Sequence, residues 1–137
     1  MTLKEYFQDI AGTGVLSTAD GKGVVNAAVY SKPHILDEAT VAFVMRQRLT
    51  HHNLQTNPFA AYLFLENSPG HQGIRLHLKK VKEETDPAAI EPFMTRHLTP
   101  EEEREKGPKY LVTFTVEKIL PLTGNGELKV MMKQQGA

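Results

Sequence analysis

The chain has 137 residues, with 16 Lys+Arg against 16 Asp+Glu, and contains neither cysteine nor tryptophan. Balanced charge removes the electrostatic case for DNA, RNA or an anionic membrane as partner. Without cysteine there are no disulfides, thiolate metal sites or cysteine nucleophiles, and stacking on a ligand falls to Phe, Tyr or His. This length makes one domain, 1–137, able to bury about two-thirds of its unfolded surface. No signal layout and no apolar run near the roughly 20 residues of a membrane span occurs, so a cytoplasmic location is expected.

Thr2-x-x-Glu5 is a capping box, and Leu3, Tyr6, Phe7 and Ile10 mark one face of a short helix ended by Gly12 and Gly14. Val15–Thr18 and Val24–Tyr30 read as strands around a hairpin turn, Asp20-Gly21-Lys22-Gly23. Small residues at Ala27 and Ala28 leave room for something to lie against that backbone. Ser31–Leu36 is a further strand segment, placed at an edge or bend by Pro33. Phe59–Leu65, FAAYLFL, is apolar on both faces, which predicts a strand covered on both sides and a subunit interface. Glu66–Gly73 is a loop. In Ile74–Thr85 the apolar positions shift phase between Leu78 and Val81, the mark of a β-bulge in a bending barrel strand. Asp86-Pro87 opens a helix to about Leu98, and Thr99-Pro100 opens another, stopped by Gly107-Pro108. Tyr110–Leu122 alternates as a strand, and 123–137 is a strap or mobile tail. The sum is a mainly β fold: six or seven antiparallel strands in a barrel with added helices.

The stretch most suggestive of chemistry is Thr40–Pro58, TVAFVMRQRLTHHNLQTNP. An apolar strand runs into Arg46 and Arg48, which extended backbone points to one side. A helix then begins with Thr50, His51, His52 and Asn53. Free N–H groups at the helix start, a Thr hydroxyl and two guanidiniums suit a phosphate. The plainer reading has Thr50 as the helix cap and both arginines solvated. His51 and His52 point about 100° apart on a helix, so the pair does not favour one metal ion, and no metal site is expected. Arg75, His77 and Lys79 give one strand a basic face, either a wet sheet face or a cleft lining. With no G-x-S-x-G, P-loop or G-x-G-x-x-G, redox or group-transfer chemistry would need a bound cofactor.

The order of a short helix, GVLST, a hairpin, VVNAAVY, VAFVM, a basic turn and a helix ending in N-P resembles the FMN-binding split barrels related to pyridoxamine 5'-phosphate oxidase. The resemblance covers about Leu3–Glu84 and resumes at Tyr110–Leu122. It implies a homodimeric flavoprotein of electron or hydride transfer, with FMN near the interface. It places Asn26, Ala27 and Ala28 facing the flavin, and the backbone of Met45, Arg46 and Gln47 along its ring. Arg48, Leu49 and Thr50 match the phosphate turn, and His71, Gln72 and Gly73 a loop closing over the flavin. Leu49-Thr50 departs from the Arg-Lys, His-Lys or Lys-Thr usual in that turn, so Arg48 or Arg46 must supply the charge. Some relatives bind haem or a deazaflavin, which leaves a non-enzymatic haem module as the alternative, with His34, His71 or His77 as axial ligand. A barrel that has lost its cofactor and survives as a dimeric interaction protein is the third reading.

Overall fold

The computed structural model describes residues 1–124, 126 and 128. Helix α1 (Leu3–Asp9) is followed by strands β1 (Gly12–Ala19), β2 (Val25–Tyr30), β3 (His34–Asp37) and β4 (Thr40–Arg46). Helix α2 (Leu49–Asn53) leads to β5 (Phe59–Glu66) and β6 (Gly73–Glu84). Helices α3 (Pro87–Ile90) and α4 (Pro100–Lys106) precede the last strand, β7 (Lys109–Pro121). The strands form one antiparallel sheet in the order β2-β1-β5-β6-β7-β4-β3, the sheet of a split barrel. No described helix is long and apolar enough to cross a membrane.

Local chemistry sets these elements. The Thr2 hydroxyl accepts from Glu5 N–H at 3.1 Å while the Glu5 carboxylate accepts from Thr2 N–H at 3.0 Å, closing the capping box of α1. In the β1–β2 hairpin Asp20 Oδ1 accepts from the N–H groups of Lys22 and Val24, and Gly23 takes the positive φ of 85° that the turn requires. The predicted phase shift in β6 is real. Pairing with β7 slips at His77/Leu78 and again at Lys80/Lys82, bending the long β6 strand and leaving Val81 exposed.

The inner face carries Leu16, Phe43, Tyr62, Phe64, Leu76 and Phe114, closed at one end by Leu3, Tyr6 and Phe7 of α1. Tyr62 is the hub. Its ring meets those of Phe7, Phe43 and Phe64, and its hydroxyl donates to the carbonyls of Ser31 (3.1 Å) and Tyr30 (3.3 Å). Gly14 makes room for it, since a methyl group there would overlap the Tyr62 hydroxyl.

One expectation needs correction, and two reach beyond what a single described chain holds. Within one protomer Tyr62 and Phe64 of β5 are buried, while Phe59, Leu63 and Leu65 are exposed, leaving the second face to the expected subunit interface. The helix expected to reach Leu98 ends as α3 at Ile90 and continues as a single 3-10 turn, Glu91–Phe93. Pro92 withholds the N–H a longer helix needs, so Met94 N–H bonds back to Glu91 O at 3.1 Å and the chain then extends. The expected tail lies outside the described residues beyond Leu128, whose N–H donates to Ile119 O at 2.7 Å.

Candidate functional site

The phosphate corner forms where β4 stops. Arg48 N–H bonds to Arg46 O at 2.9 Å, turning the chain, and Arg48 itself is the N-cap of α2 with no side-chain cap bond. Thr50 is therefore not the cap. It sits inside the first turn, buried, and its hydroxyl is used sideways. The Asn26 amide approaches Thr50 Oγ1 at 3.5 Å, and the Tyr30 phenol is near enough to the same hydroxyl for Thr50 to lower its pKa. Asn26, Ala28 and Tyr30 share the inner face of β2, two residues apart in each case, which is why they converge on α2. Tyr30 was not singled out in the sequence; its parity with Asn26 was the available signal.

Burial pushes the Tyr30 phenol up, only partly offset by Thr50 and the nearby Arg48 charge, so its hydroxyl stays protonated and able to donate. The corner thus gathers two hydroxyls, an amide and one guanidinium. At five residues α2 has little macrodipole, so the side chains carry the case for an anion here.

Arg46 is not part of it. Its guanidinium makes a bidentate pair with Glu103 of α4 (3.1 and 3.2 Å) and donates to Gly107 O at 3.0 Å. The expectation that both arginines point to one anion fails because a carboxylate on α4 claims the first. The hydrogen bonds and charges of Arg46 and Lys109 hold the Glu103 carboxyl below its ordinary range. Backbone N–H donors do the same for Glu5, Asp20, Asp37 and Glu102. A carboxyl whose folded-state pKa is depressed contributes stability above its unfolded pKa and loses it as pH falls through the folded value. These carboxyls therefore make the urea midpoint fall steadily below about pH 4. A midpoint higher at pH 3 than at pH 6 would contradict these pairings.

Beside the corner the barrel is open. The β3–β4 ladder ends at the His34–Ala42 pair, so one backbone edge of 43–46, including Met45 and Arg46, has no strand partner among the described residues. Met45 is itself a core side chain, so only its backbone can serve a ligand, and Gln47 and Leu49 are exposed. A cavity of about 190 Å³ lies along this edge, lined by Tyr30, Lys32, Phe43, Val44, Phe93 and Met94 among others. Tyr30 belongs to both the cavity and the corner. Ala28 faces inward with Asn26, whereas Ala27 faces the other side of the sheet.

His71, Gln72 and Gly73 are not brought to this place. Asn26 and Thr18 stand level with Ala60, while Gly73 pairs with Leu65. Five strand residues separate the two levels, about 17 Å. Within one chain the loop and the corner occupy opposite ends of β5. The histidines also stand apart: His34 packs edge-on against Phe93, His77 lies on the outer sheet face and His71 is in the loop. No group of three or more potential metal-holding side chains occurs among the described residues.

The outer face is conspicuously apolar. Val29, Val15 and Leu63 form one row across β2, β1 and β5, and Ala27, Ser17 and Ala61 form the next. Val25 and Val29 are 78% and 76% exposed, and Phe59 is 58% exposed. A depression of about 450 Å³ lies here, against Val25, Ser17, Ala61, Phe59 and His77.

No protein-family model matches the sequence, and no curated protein matches it. Solved structures do. An FMN-binding protein from Syntrophomonas wolfei subsp. wolfei is 20% identical over 90% of this chain and 85% of its own, with a TM-score of 0.72. A Clostridium acetobutylicum protein related to general stress protein 26, described as of the pyridoxinephosphate oxidase family, is 12% identical over 93% and 94%, with a TM-score of 0.65. An F420 reductase is 13% identical over 84% and 94%, also at 0.65. At these identities the likeness fixes the architecture: this chain has the split-barrel fold that those proteins share.

Proposed function

We propose that the protein binds FMN, phosphate at the Asn26–Tyr30–Arg48–Thr50 corner, and serves as a homodimeric flavoprotein of electron or hydride transfer. The convergence of those four side chains beside an unpaired strand edge carries this reading. A phosphate monoester needs hydroxyl and amide donors and a positive charge, and the corner offers these with no carboxylate among them. The unpaired edge of 43–46 offers backbone donors and acceptors to a polar ring edge, and Phe43, Val44 and Phe93 an apolar wall. When bound, FMN supplies the redox chemistry; the protein binds it, orients it and keeps water from its ring. The names of the similar structures, an FMN-binding protein and an F420 reductase among them, support a flavin-type cofactor.

Size and the apolar face support a second subunit. A cavity of about 190 Å³ is smaller than the roughly 300–1,000 Å³ of a complete ligand site, so one protomer supplies only part of the walls. A second copy docked through Val15, Val25, Val29 and Leu63 covers the exposed face and brings in surface this chain lacks, the His71–Gly73 loop included. Val29→Asp, on that face and outside the core, should shift the protein to monomer by light scattering with its fold retained by circular dichroism. A wild-type chain that is already monomeric at tens of micromolar would remove the dimer.

FMN should raise the melting temperature in a dose-dependent way, adding about 2.7 kcal/mol at a hundredfold excess over Kd. Melting curves unmoved by millimolar FMN would overturn the proposal.

A further inference from the structure

We propose that His51 is a positioning residue for the flavin phosphate: it fixes the first turn of α2 to the paired strands β6 and β7 and so sets where Thr50 and Arg48 stand. This rests on the FMN reading above. The contrast with its neighbour motivates it. His52 is exposed, whereas His51 is 7% exposed despite being an imidazole in a five-residue helix at a barrel end.

Its surroundings are built. The ring stacks on Tyr110 of β7 at 3.8 Å between centroids and 16° between planes. Nε2 lies 2.9 Å from Glu83 Oε1 on β6. The Gln55 amide, one turn on, donates to His51 O (3.1 Å) and to the same Glu83 oxygen (3.2 Å), and Lys80 Nζ reaches it at 3.2 Å. Because Oε1 can only accept, Nε2 must carry its proton and donate. The 3.1 Å approach of Gln55 Nε2 to His51 Nε2 is therefore a close contact between two donors that share an acceptor. Burial pushes the Glu83 carboxyl up, but the bonds from Gln55 and Lys80 and the charges of His51 and Lys80 outweigh it and hold it ionised.

A helix this short has no stability of its own. α2 is held from two sides. Asn53 Nδ2 donates to Thr18 Oγ1 of β1 at 3.1 Å, and on the other side His51 reaches β6 and β7. Thr50 lies next to His51, so losing the His51 tie would let the first turn shift and carry its hydroxyl away from Asn26 and Tyr30. Asn53 and Gln55 would still hold the far end of the helix. Charge-assisted phosphate bonds are sensitive to such displacement, whereas ring contacts along 43–46 are not. The expected signature is a loss of discrimination between FMN and riboflavin, not a general loss of flavin binding.

The test compares dissociation constants of FMN and riboflavin, by quenching of flavin fluorescence, for wild type, His51→Phe, His51→Gln and His52→Gln. His51→Phe keeps a ring on Tyr110 and removes the donor to Glu83; it should lower FMN affinity about tenfold and riboflavin affinity less than about twofold. His51→Gln retains a donor and should recover most of the difference, and His52→Gln should match wild type. If His51→Phe does not fold, Glu83→Gln weakens the same tie from the other side and should move the ratio in the same direction. An unchanged ratio in the folded variant overturns the role of His51 and leaves FMN binding intact. A wild type that binds FMN no better than riboflavin overturns the phosphate assignment itself, and this inference with it.

Discussion

Tyr62→Ala is expected to destabilise the protein by about 3–5 kcal/mol, a large part of the roughly 5–15 kcal/mol that holds a domain folded. The side chain is fully buried among Phe7, Phe43 and Phe64, so the truncation leaves a cavity bounded by rigid rings that cannot collapse. It also frees the carbonyls of Tyr30 and Ser31, where the chain leaves β2. Tyr62→Phe separates the two effects. It keeps the ring and removes only the hydroxyl, costing about 1 kcal/mol in urea denaturation. Because the hydroxyl anchors the end of β2 next to the candidate site, Tyr62→Phe should also loosen Tyr30, seen as faster amide exchange there. A loss above about 3 kcal/mol for Tyr62→Phe would mean that the hydroxyl, not the packing, organises this end of the barrel.

The second large effect concerns the corner. Arg48→Ala combined with Thr50→Ala should weaken FMN by about 3 kcal/mol, on the order of a hundredfold, since each bond to a charged oxygen contributes roughly 1.5–3 kcal/mol. Riboflavin, lacking the phosphate, should lose little. Arg46→Ala is the instructive comparison. It removes the pair with Glu103 and the bond to Gly107 O, so it should loosen α4 and lower the melting temperature. The FMN-to-riboflavin ratio should not move. Equal losses of both flavins in the double variant would remove the phosphate from this corner.

Much of the architecture was legible because it rests on local rules. The Thr2-x-x-Glu5 box, the Thr99-Pro100 helix start, the Asp20–Gly23 turn and the phase shift at Val81 each name an element directly. What failed depended on tertiary partners. Two arginines two apart look equivalent on a strand, yet only Arg48 is left for a ligand, because Glu103, 57 residues further on, takes Arg46. Thr50 reads as a cap from its position, but the turn is made one step earlier by Arg48. His51 and His52 read as one motif, though the barrel buries one and leaves the other in solvent. FAAYLFL is a different case: its Tyr62 and Phe64 side is covered within one protomer, and its exposed side is the surface proposed for a second copy. Leu49 is exposed and contributes no charge; Arg48 next to it does.

The central claim is a phosphate-reading corner in a flavin site, and the most direct measurement is the ratio of wild-type dissociation constants for riboflavin and FMN at neutral pH. The arrangement of Asn26, Tyr30, Arg48 and Thr50 predicts that FMN binds at least tenfold more tightly than riboflavin, a difference of about 1.4 kcal/mol. Equal affinities for the two, or no uptake of either, would contradict it.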